Sequence, residues 1–186
     1  MDSPEENPLE KLHLSLVVAM TSDGLIGKNG MLPWKPIPSD FKRFRKLTLA
    51  AGDVIMGSTT FRSIITRNRA PLAERRNIVL TRDNTEFVKS RGGIPVASVE
   101  EALRIARGSA AIIGGAQIYR QFLPWAQTIH ETVVEGEFSG DARWQPVSRD
   151  EWGVSDDWDA HFQFFDERDP YRTAYVVHTR KSSPRA

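Results

Sequence analysis

The sequence predicts an α/β protein with a mixed, mostly parallel central β-sheet, about four flanking helices and antiparallel strands near its C-terminus. Two observations predict this class. Short, continuously apolar segments alternate with segments of helical periodicity along most of the chain. The C-terminal part loses this alternation and reads as strands joined by Gly and Asp turns, a pattern typical of antiparallel strands at a sheet edge.

The strands are predicted by apolar runs. LHLSLVVAM (12–20) is too continuous for a strand with one face in water, so we expect it to be covered on both faces. Three later segments repeat this form: DVIMG (53–57), NIVLTR (77–82) and AAIIGG (110–115). Near the C-terminus, TIHETVVEG, WGVSDDW, FQFFDE and YRTAYVVHT predict further strands.

The helices between the strands are predicted by caps and spacing. Ser98 and Glu101 form a capping box before an apolar helical pattern, and AQIYRQFL places Ile118, Phe122 and Leu123 at helical spacing. Another helix is expected to begin at Ser39, a good N-cap residue preceded by Pro38. Alternating strands and helices predict right-handed crossovers.

Length and composition predict one soluble domain. We expect a flexible N-terminal extension (1–11), a domain at 12–180 and a flexible tail at 181–186. A net charge of +1 with 26% charged residues gives no sign of a nucleic-acid partner. No segment approaches the roughly 18 apolar residues of a membrane helix. Because the chain has no cysteine, disulfides and thiolate sites are excluded, and we expect a cytoplasmic protein.

One acid shares the apolar face of the helix after Ser39. At about 100° per residue, this face spans roughly 120° and contains Asp40, Phe41, Phe44, Leu47 and Thr48. Asp40 could simply stabilise the helix N-terminus through the macrodipole. Alternatively, the face lines a pocket in which the carboxylate binds a cationic or amidine-like heterocycle, and burial raises its pKa.

Two strand-to-helix turns could bind phosphate. IIGGAQIY ends a buried strand in two glycines, and VIMGSTTF follows a glycine with Ser58, Thr59 and Thr60. Each could be ordinary turn geometry or a helix cap, or each could hold a phosphate. Neither is GxGxxG, but two such turns at one end of a parallel sheet predict a dinucleotide cleft.

Other sites receive little support from the sequence. The four histidines, His13, His130, His161 and His178, stand singly, so we predict no metal site. There is also no GxSxG motif, Walker A motif or acidic cluster suited to Mg²⁺. Trp34 differs from the other tryptophans because its loop has no predicted strand or helix to bury it.

Taken together, several blocks resemble the dihydrofolate reductase family. VVAMTSDGLIGKNGMLPW, SDFKRFRKLT, VIMGSTTFRSI, PLAERRNIVLTR, SVEEAL, IIGGAQIYRQFLP and FSGDARWQP occur in the order of that family and span 12–179. The resemblance implies reduction of 7,8-dihydrofolate to tetrahydrofolate with NADPH, by hydride transfer to pterin C6 and water-mediated protonation of N5, in support of one-carbon metabolism. It implies dihydrofolate as the small-molecule partner. We expect a monomer.

The resemblance also implies roles for substrate-binding residues. Asp40 would bind the 2-amino and N3 groups of the pterin, Trp34 would pack at the site and help hold an ordered water, and Thr132 would accept a hydrogen bond from the acid or its water. Arg75 would bind the glutamate α-carboxylate, with the neighbouring Arg76 as the alternative. The remaining substrate-binding positions are Val17, Val18, Phe41, Phe44, Ile64, Leu72, Ile113 and Tyr119.

For the cofactor, the resemblance implies contacts with the nicotinamide, the phosphates and the adenosine. It also implies a cis peptide between Gly114 and Gly115. Ser58 stands where the family often has Arg or Lys, so Arg82 is the best candidate for binding the 2′-phosphate. The implied cofactor positions are Ala19, Ile26, Gly27, Gly57, Ser58, Thr59, Thr60, Leu80, Thr81, Arg82, Ile113, Gly114, Gly115, Ala116, Gln117, Ile118 and Tyr119.

The family further implies a mobile lid in GLIGKNGMLPW, which Asp141 would hydrogen-bond when the lid is closed. Two alternatives share the cofactor turns. One is a pyrimidine reductase of riboflavin biosynthesis, and the other is a non-catalytic NADPH-binding module. The combination of Trp34 and Asp40 favours the folate enzyme over both.

Overall fold

The structure, a computed structural model, describes residues 12–145, 147–154 and 166–182. The predicted N-terminal extension (1–11), the last four residues of the predicted tail and the greater part of FQFFDE lie outside the described residues. Among the described residues, no helix combines the length and the apolar character needed to cross a membrane.

The described strands form an eight-stranded mixed sheet and a two-stranded ribbon. The sheet order is β5-β4-β3-β6-β1-β7-β10-β9, and the ribbon pairs β2 with β8. Only the pairs that include β10 are antiparallel within the large sheet, as predicted for the C-terminal strands. The strands are β1 (His13–Met20), β2 (Leu25–Gly27), β3 (Asp53–Gly57), β4 (Arg76–Leu80), β5 (Ile94–Val96), β6 (Ser109–Ile112), β7 (Thr128–Val134), β8 (Ala142–Arg143), β9 (Trp152–Val154) and β10 (Thr173–Arg180).

Five α-helices connect these strands within the described ranges, one more than the four or so expected. The additional helix is α3, which has only six residues and therefore shows little periodicity in the sequence. One half of the predicted capping box of α4 is present, since the Glu101 N–H donates to Ser98 Oγ at 3.2 Å, whereas Glu101 Oε2 accepts the N–H of Ala97 rather than that of Ser98. The helices are α1 (Pro38–Ala51), α2 (Ser58–Asn68), α3 (Thr85–Ser90), α4 (Val99–Ile105) and α5 (Ala116–Phe122), which continues into a 3₁₀ turn.

The sheet is covered on both faces by apolar clusters. One cluster contains Leu14, Leu16, Val18 and Met20 of β1, and a second contains Val54 and other residues on the opposite side. The alternate residues of β1 are only half-buried. This strand therefore presents one face to the core and the other to the cleft described below, which explains its continuous apolar sequence.

Helix α1 begins differently from the prediction. Its N-cap is Ile37, and Ser39 lies inside the first turn, so the assignment of Ser39 as the N-cap is wrong. The first turn is instead capped from a distance, because the Ser39 N–H donates to Asp169 Oδ1 at 3.0 Å. Pro38 lacks an N–H and is well suited to the first helical position. A distant carboxylate thus performs the capping role that local sequence gave to Ser39.

Candidate active site

A cleft of about 1560 Å³ opens at the carboxyl ends of the central strands. It exceeds the roughly 300–1,000 Å³ of a pocket for one small molecule, so it has room for a substrate beside a dinucleotide. Most of the predicted site residues line it: Val17, Val18, Ala19, Ile26, Gly27, Asp40, Phe41, Phe44, Gly57, Ser58, Thr59, Thr60, Ile64, Leu72, Arg75, Leu80, Thr81, Arg82, Ile113, Gly115, Ala116, Gln117, Ile118 and Tyr119.

Asp40 lines this cleft and is largely buried, with 15% of its side chain exposed. Burial raises the pKa of Asp40, whereas the hydroxyl of Thr132 and the guanidinium of Arg43 oppose the rise. Its Oδ1 lies 3.8 Å from Nη1 of Arg43. Asp40 is therefore a desolvated carboxylate whose charge is supported by specific neighbours rather than by water.

Thr132 does not line the cleft but lies behind Asp40. Its Oγ1 accepts a hydrogen bond from Nη1 of Arg43 at 3.2 Å, and its hydroxyl lowers the pKa of Asp40, as a donor to the carboxylate does. The prediction that Thr132 accepts a hydrogen bond from the acid therefore has the direction reversed, while its alternative, a hydrogen bond from a water held by the acid, stays a prediction. An ionised carboxylate is an acceptor only, so the hydroxyl must donate.

Trp34 also lies outside the cleft lining. Its side chain is buried against Ile37 and Val134, and its ring meets that of Phe138 edge-on with centroids 5.5 Å apart. The expectation that the loop offers nothing to bury this tryptophan is wrong, because strand β7 and the connection after it, distant in sequence, supply the contacts.

Tyr119 closes the cleft beside β1. Its hydroxyl donates to the backbone oxygen of Val17 at 2.8 Å, and its side chain packs near Trp144. Burial, with the nearby charge of Asp40, raises the pKa of Tyr119 well above its usual range. The hydroxyl therefore stays protonated and committed to Val17, which makes Tyr119 a wall of the site rather than a proton donor.

Two adjacent arginines have different surroundings. Arg75 lines the cleft and donates to Thr48 Oγ1 at 2.7 Å. Arg76 points elsewhere, because its Nη1 lies 2.8 Å from Oδ2 of the buried Asp53 and also donates to the backbone oxygen of Ile105. Of the pair, Arg75 is the one that can meet a ligand carboxylate in the cleft.

The two glycine turns meet as predicted. The Gly57 N–H donates to the Gly114 oxygen at 2.8 Å, which joins the ends of β3 and β6. The peptide between Gly114 and Gly115 is cis, and Gly114 has φ +97°. A Cβ at Gly114 would lie 2.9 Å from the ring and hydroxyl of Tyr119, so no side chain fits there. Gly114 itself is buried and does not line the cleft.

The phosphate end of the cleft offers backbone donors and a cation. Helix α2 starts directly after Gly57, and among the described residues no side-chain hydrogen bond caps its start, so its first-turn N–H groups are available to an anion. Gly115, Ala116 and Gln117 face the same space from the second turn, and Arg82 lies farther along the cleft. This donor set fits the phosphates of a dinucleotide.

A short ribbon holds the predicted lid over the cleft. Strand β2 pairs with β8, and the Trp144 N–H donates to the Gly24 oxygen at 2.9 Å. The Asn29 N–H donates to Asp141 Oδ1 at 3.1 Å. Ile26 and Gly27 of this lid line the cleft. The segment predicted to be a lid therefore borders the cleft and is hydrogen-bonded to the connection around Asp141.

Sequence reasoning missed one wall of the cleft. Residues Ala97, Ser98, Val99 and Glu100 line it, as Arg82 and Asn84 also do. Their capping box marked a helix start, but it did not show that this start follows β5 at the same edge of the sheet as the glycine turns. Arg45, Arg67 and Asn68, which line the same cleft, were also missed.

No cluster of three or more metal-binding side chains occurs among the described residues. Two of the histidines there have protein partners instead. Nε2 of His178 lies 2.7 Å from Oε2 of Glu131, and Nδ1 of His130 lies 2.6 Å from the Tyr175 hydroxyl. The prediction about His161 lies outside the described residues.

A covered, mostly parallel sheet with paired glycine turns beside a buried carboxylate is the arrangement of a dinucleotide-dependent oxidoreductase for a small heterocyclic substrate. The comparisons with known proteins narrow this class. The family model for dihydrofolate reductase matches residues 13–180. The chain therefore belongs to the dihydrofolate reductase family.

Individual relatives agree with the family match. The dihydrofolate reductase of Bacillus subtilis is 34% identical over 177 residues, which cover 93% of this chain and 98% of that protein. That of Haemophilus influenzae is 34% identical over 169 residues, covering 90% and 98%. A solved structure of the Enterococcus faecalis enzyme, complexed with NADP(H) and RAB-propyl, superposes with a TM-score of 0.78 at 27% identity and covers 91% of this chain and 97% of that one.

Proposed function

We propose that Asp40 holds the pterin ring of dihydrofolate while this chain performs the reaction of its family, the NADPH-dependent reduction of 7,8-dihydrofolate to 5,6,7,8-tetrahydrofolate. The observation that carries this assignment is the desolvated carboxylate of Asp40, which lines the cleft together with Phe41 and Tyr119. A carboxylate can accept paired hydrogen bonds from the adjacent 2-amino and ring N–H groups of a pterin.

The residues that line the cleft are suited to binding NADPH. When bound, NADPH supplies the hydride that the reaction requires. The uncapped start of α2, with Ser58, Thr59 and Thr60, and the Gly114–Gly115 turn would hold its phosphates. Ala19 and Ile26 would contact the nicotinamide end, and Leu80, Thr81 and Arg82 the adenosine end. Arg82 would provide the positive charge for the 2′-phosphate, because Ser58 is uncharged.

The remaining residues orient the reactants and exclude water. Val17, Val18, Ile64, Leu72 and Ile113 supply apolar walls in which the pterin and aminobenzoyl groups would pack. The negative charge of ionised Asp40 would stabilise the positive charge of a pterin protonated at N5. Because the Tyr119 hydroxyl is committed to Val17, we assign the N5 proton to water. Trp34, behind the wall, would support the loop that leads into α1, the helix that carries Asp40.

Arg75 is the proposed partner of the substrate glutamate α-carboxylate. It faces the cleft, whereas Arg76 is bound to Asp53 and the backbone of Ile105. A guanidinium can hold a carboxylate through two parallel hydrogen bonds, which a lysine cannot reproduce. These surroundings support Arg75 over Arg76.

We further propose that 12–180 forms a single domain that acts as a cytoplasmic monomer. The continuous eight-stranded sheet, in which β1 lies between β6 and β7, supports one folding unit. The family match over residues 13–180 supports the folate reaction over a pyrimidine reductase or a non-catalytic module.

The test is a direct assay. Purified protein is mixed with dihydrofolate and NADPH, and loss of the reduced-nicotinamide absorbance is followed, with NADH in a parallel reaction. We expect turnover with NADPH and a fall of at least about 100-fold in kcat/KM for Asp40→Asn, as for removal of a key polar group in a desolvated site. No turnover by the unaltered protein would refute the function, and full activity in the variant would remove the role of Asp40.

A further inference from the structure

Arg43 is an unusually buried cation next to the substrate-binding acid. It follows Asp40 by three residues on α1, and only 13% of its side chain is exposed. Its Nη1 lies 3.8 Å from Asp40 Oδ1 and donates to Thr132 Oγ1 at 3.2 Å. Arginine side chains are seldom buried unless they are paired with another group. The burial of Arg43 beside Asp40 and Thr132 therefore needs a physical explanation. Arg43 does not line the cleft itself.

An aromatic platform holds the guanidinium in place. Its Cζ lies 4.3 Å from the centroid of the Tyr175 ring, a cation–π contact. The Tyr175 hydroxyl lies 2.6 Å from Nδ1 of His130. Burial, with the charges of His13 and Arg43, lowers the pKa of His130 to about 4. His130 is therefore neutral near pH 7, and its Nδ1 can accept the Tyr175 proton and fix the ring.

The strand register brings these groups together. Tyr175 of β10 stands opposite Thr132 of β7, and His130 lies two residues before Thr132. Because side chains on a strand alternate between faces, all three project from the same face of the sheet. The first two turns of α1 carry Asp40 and Arg43 over this face.

We propose that Arg43 is a positioning residue for the substrate-binding acid: held on Tyr175, it keeps Asp40 ionised and aims the Thr132 hydroxyl at the carboxylate. A threonine hydroxyl has one proton to donate. Since its oxygen already accepts an N–H from Arg43, the proton is free to point at Asp40. The proposal rests on the assignment of Asp40 as the substrate-binding acid.

Several groups face Asp40 and act in opposite directions. Burial of the site and the negative charge of Asp169, in the C-terminal segment, raise the pKa of Asp40. The hydroxyl of Thr132 on β7 and the charge of Arg43 on α1 lower it. Tyr119 on α5 is protonated and neutral because its own pKa is raised. Arg43 thus supplies the positive charge in this set.

The test is the titration of Asp40 in the full chain without ligands. The ¹³C signal of its carboxyl group is assigned by its loss in Asp40→Asn and followed in Arg43→Gln and Arg43→Met, which keep much of the stem without the charge. In both variants we expect the midpoint of the Asp40 titration to rise by about one pH unit, because each variant removes the charge of an adjacent arginine. Arg43→Lys should restore most of the change. The apparent pKa of the single-turnover reduction rate should move with the titration.

The matched control is Lys42→Gln, which removes an exposed charge from the same helix and should leave the Asp40 midpoint unchanged. Tyr175→Leu removes the platform without removing charge and should give a smaller upward change, which provides a second test if the uncharged variants fail to fold. An unchanged midpoint in every folded variant, or an equal change in Lys42→Gln, would overturn the proposal. The titration needs no turnover, so an inactive wild type would refute the proposed function without deciding this result.

Discussion

At the residue scale, the site places a carboxylate where water cannot solvate it well. Asp40 is raised in pKa mainly by burial, and its partners offset only part of that effect. The proposed binding of a pterin by Asp40 would gain from this arrangement, because hydrogen bonds to a charge are stronger in a dry environment. The same desolvation opposes folding, so the residue that we propose binds the substrate also weakens the fold.

This conflict predicts a pH-dependent gain in stability for Asp40→Asn. The folded-state pKa of Asp40 is raised above its ordinary value of 3.8, so the unfolded chain loses the proton first as the pH rises. As the pH rises from the ordinary pKa of an aspartate to the raised pKa of Asp40 in the folded chain, the free energy of unfolding of the wild type therefore decreases. We expect Asp40→Asn to unfold at higher denaturant concentration than wild type at pH 7, with the difference closing towards pH 3. A constant difference at all pH values would contradict this explanation, and Asp141→Asn is the control at an exposed acid.

The two neighbouring arginines give a second prediction. Arg75→Gln should raise KM for dihydrofolate by about 10-fold or more, because a hydrogen bond to a charged group contributes about 1.5–3 kcal/mol and 1.4 kcal/mol corresponds to a factor of ten. Arg76→Gln should leave KM unchanged and instead lower the free energy of unfolding, because it leaves the buried Asp53 carboxylate without its cation. Steady-state kinetics and urea unfolding of both variants test these two expectations. If Arg76→Gln raised KM and Arg75→Gln lowered the free energy of unfolding, the substrate glutamate carboxylate would be assigned to Arg76 instead.

At the element scale, the lid is held by its neighbour in space. The β2–β8 ribbon has only two registered residue pairs, so side-chain contacts contribute much of what fixes its position. Asp141 accepts the Asn29 N–H, and Lys28 donates to Ser139 at 2.9 Å. All of these contacts join the lid to the connection after β7.

Removing one of these contacts should therefore affect closure of the lid over the cleft more than it affects the stability of the fold. We expect Asp141→Ala to slow single-turnover hydride transfer by about tenfold, since one exposed charge-assisted hydrogen bond is lost, while the unfolding midpoint stays close to wild type. Glu137→Ala, an exposed acid in the same connection, is the control and should leave the rate unchanged. An unaltered single-turnover rate in Asp141→Ala would count against a role for this contact in closure.

At the scale of the whole molecule, the central strand links the core to the site. Leu16 of β1 has no exposed surface, and β1 lies between β6 and β7. The other face of the same strand carries Val17 and Ala19 into the cleft. Folding of the core and formation of the cleft floor are thus one event.

A core substitution on β1 should weaken the entire fold. We expect Leu16→Ala to lower the free energy of unfolding by about 2–5 kcal/mol, the range for creating a cavity in a packed core. Circular dichroism and tryptophan fluorescence should give one coincident transition, because Trp34 and Trp144 lie in separate clusters of a single unit. Val154→Ala, at a half-exposed site, should cost less than about 0.5 kcal/mol. Separate transitions for the two signals would contradict a single domain.

The sequence by itself determined the features that depend on residues close to one another along the chain. Apolar runs located every strand of the large sheet except the short β5, glycines located the turns after β3 and β6, and helical spacing put Asp40 on an apolar face, whereas β2 and β8 of the ribbon were not predicted. The one short helix it missed, α3, is too short to show periodicity. Strand alternation predicted the mixed topology because short connections leave few alternatives.

The tertiary structure alone decided which side chains act on one another. Asp169 caps α1 from 130 residues away, and Arg43 meets Thr132 across 89 residues. The burial of Trp34, the donor role of Thr132 and the different directions of Arg75 and Arg76 also depend on contacts with other elements. Local backbone preferences act within a few residues, whereas the desolvation and charge that tune Asp40 depend on the three-dimensional surroundings.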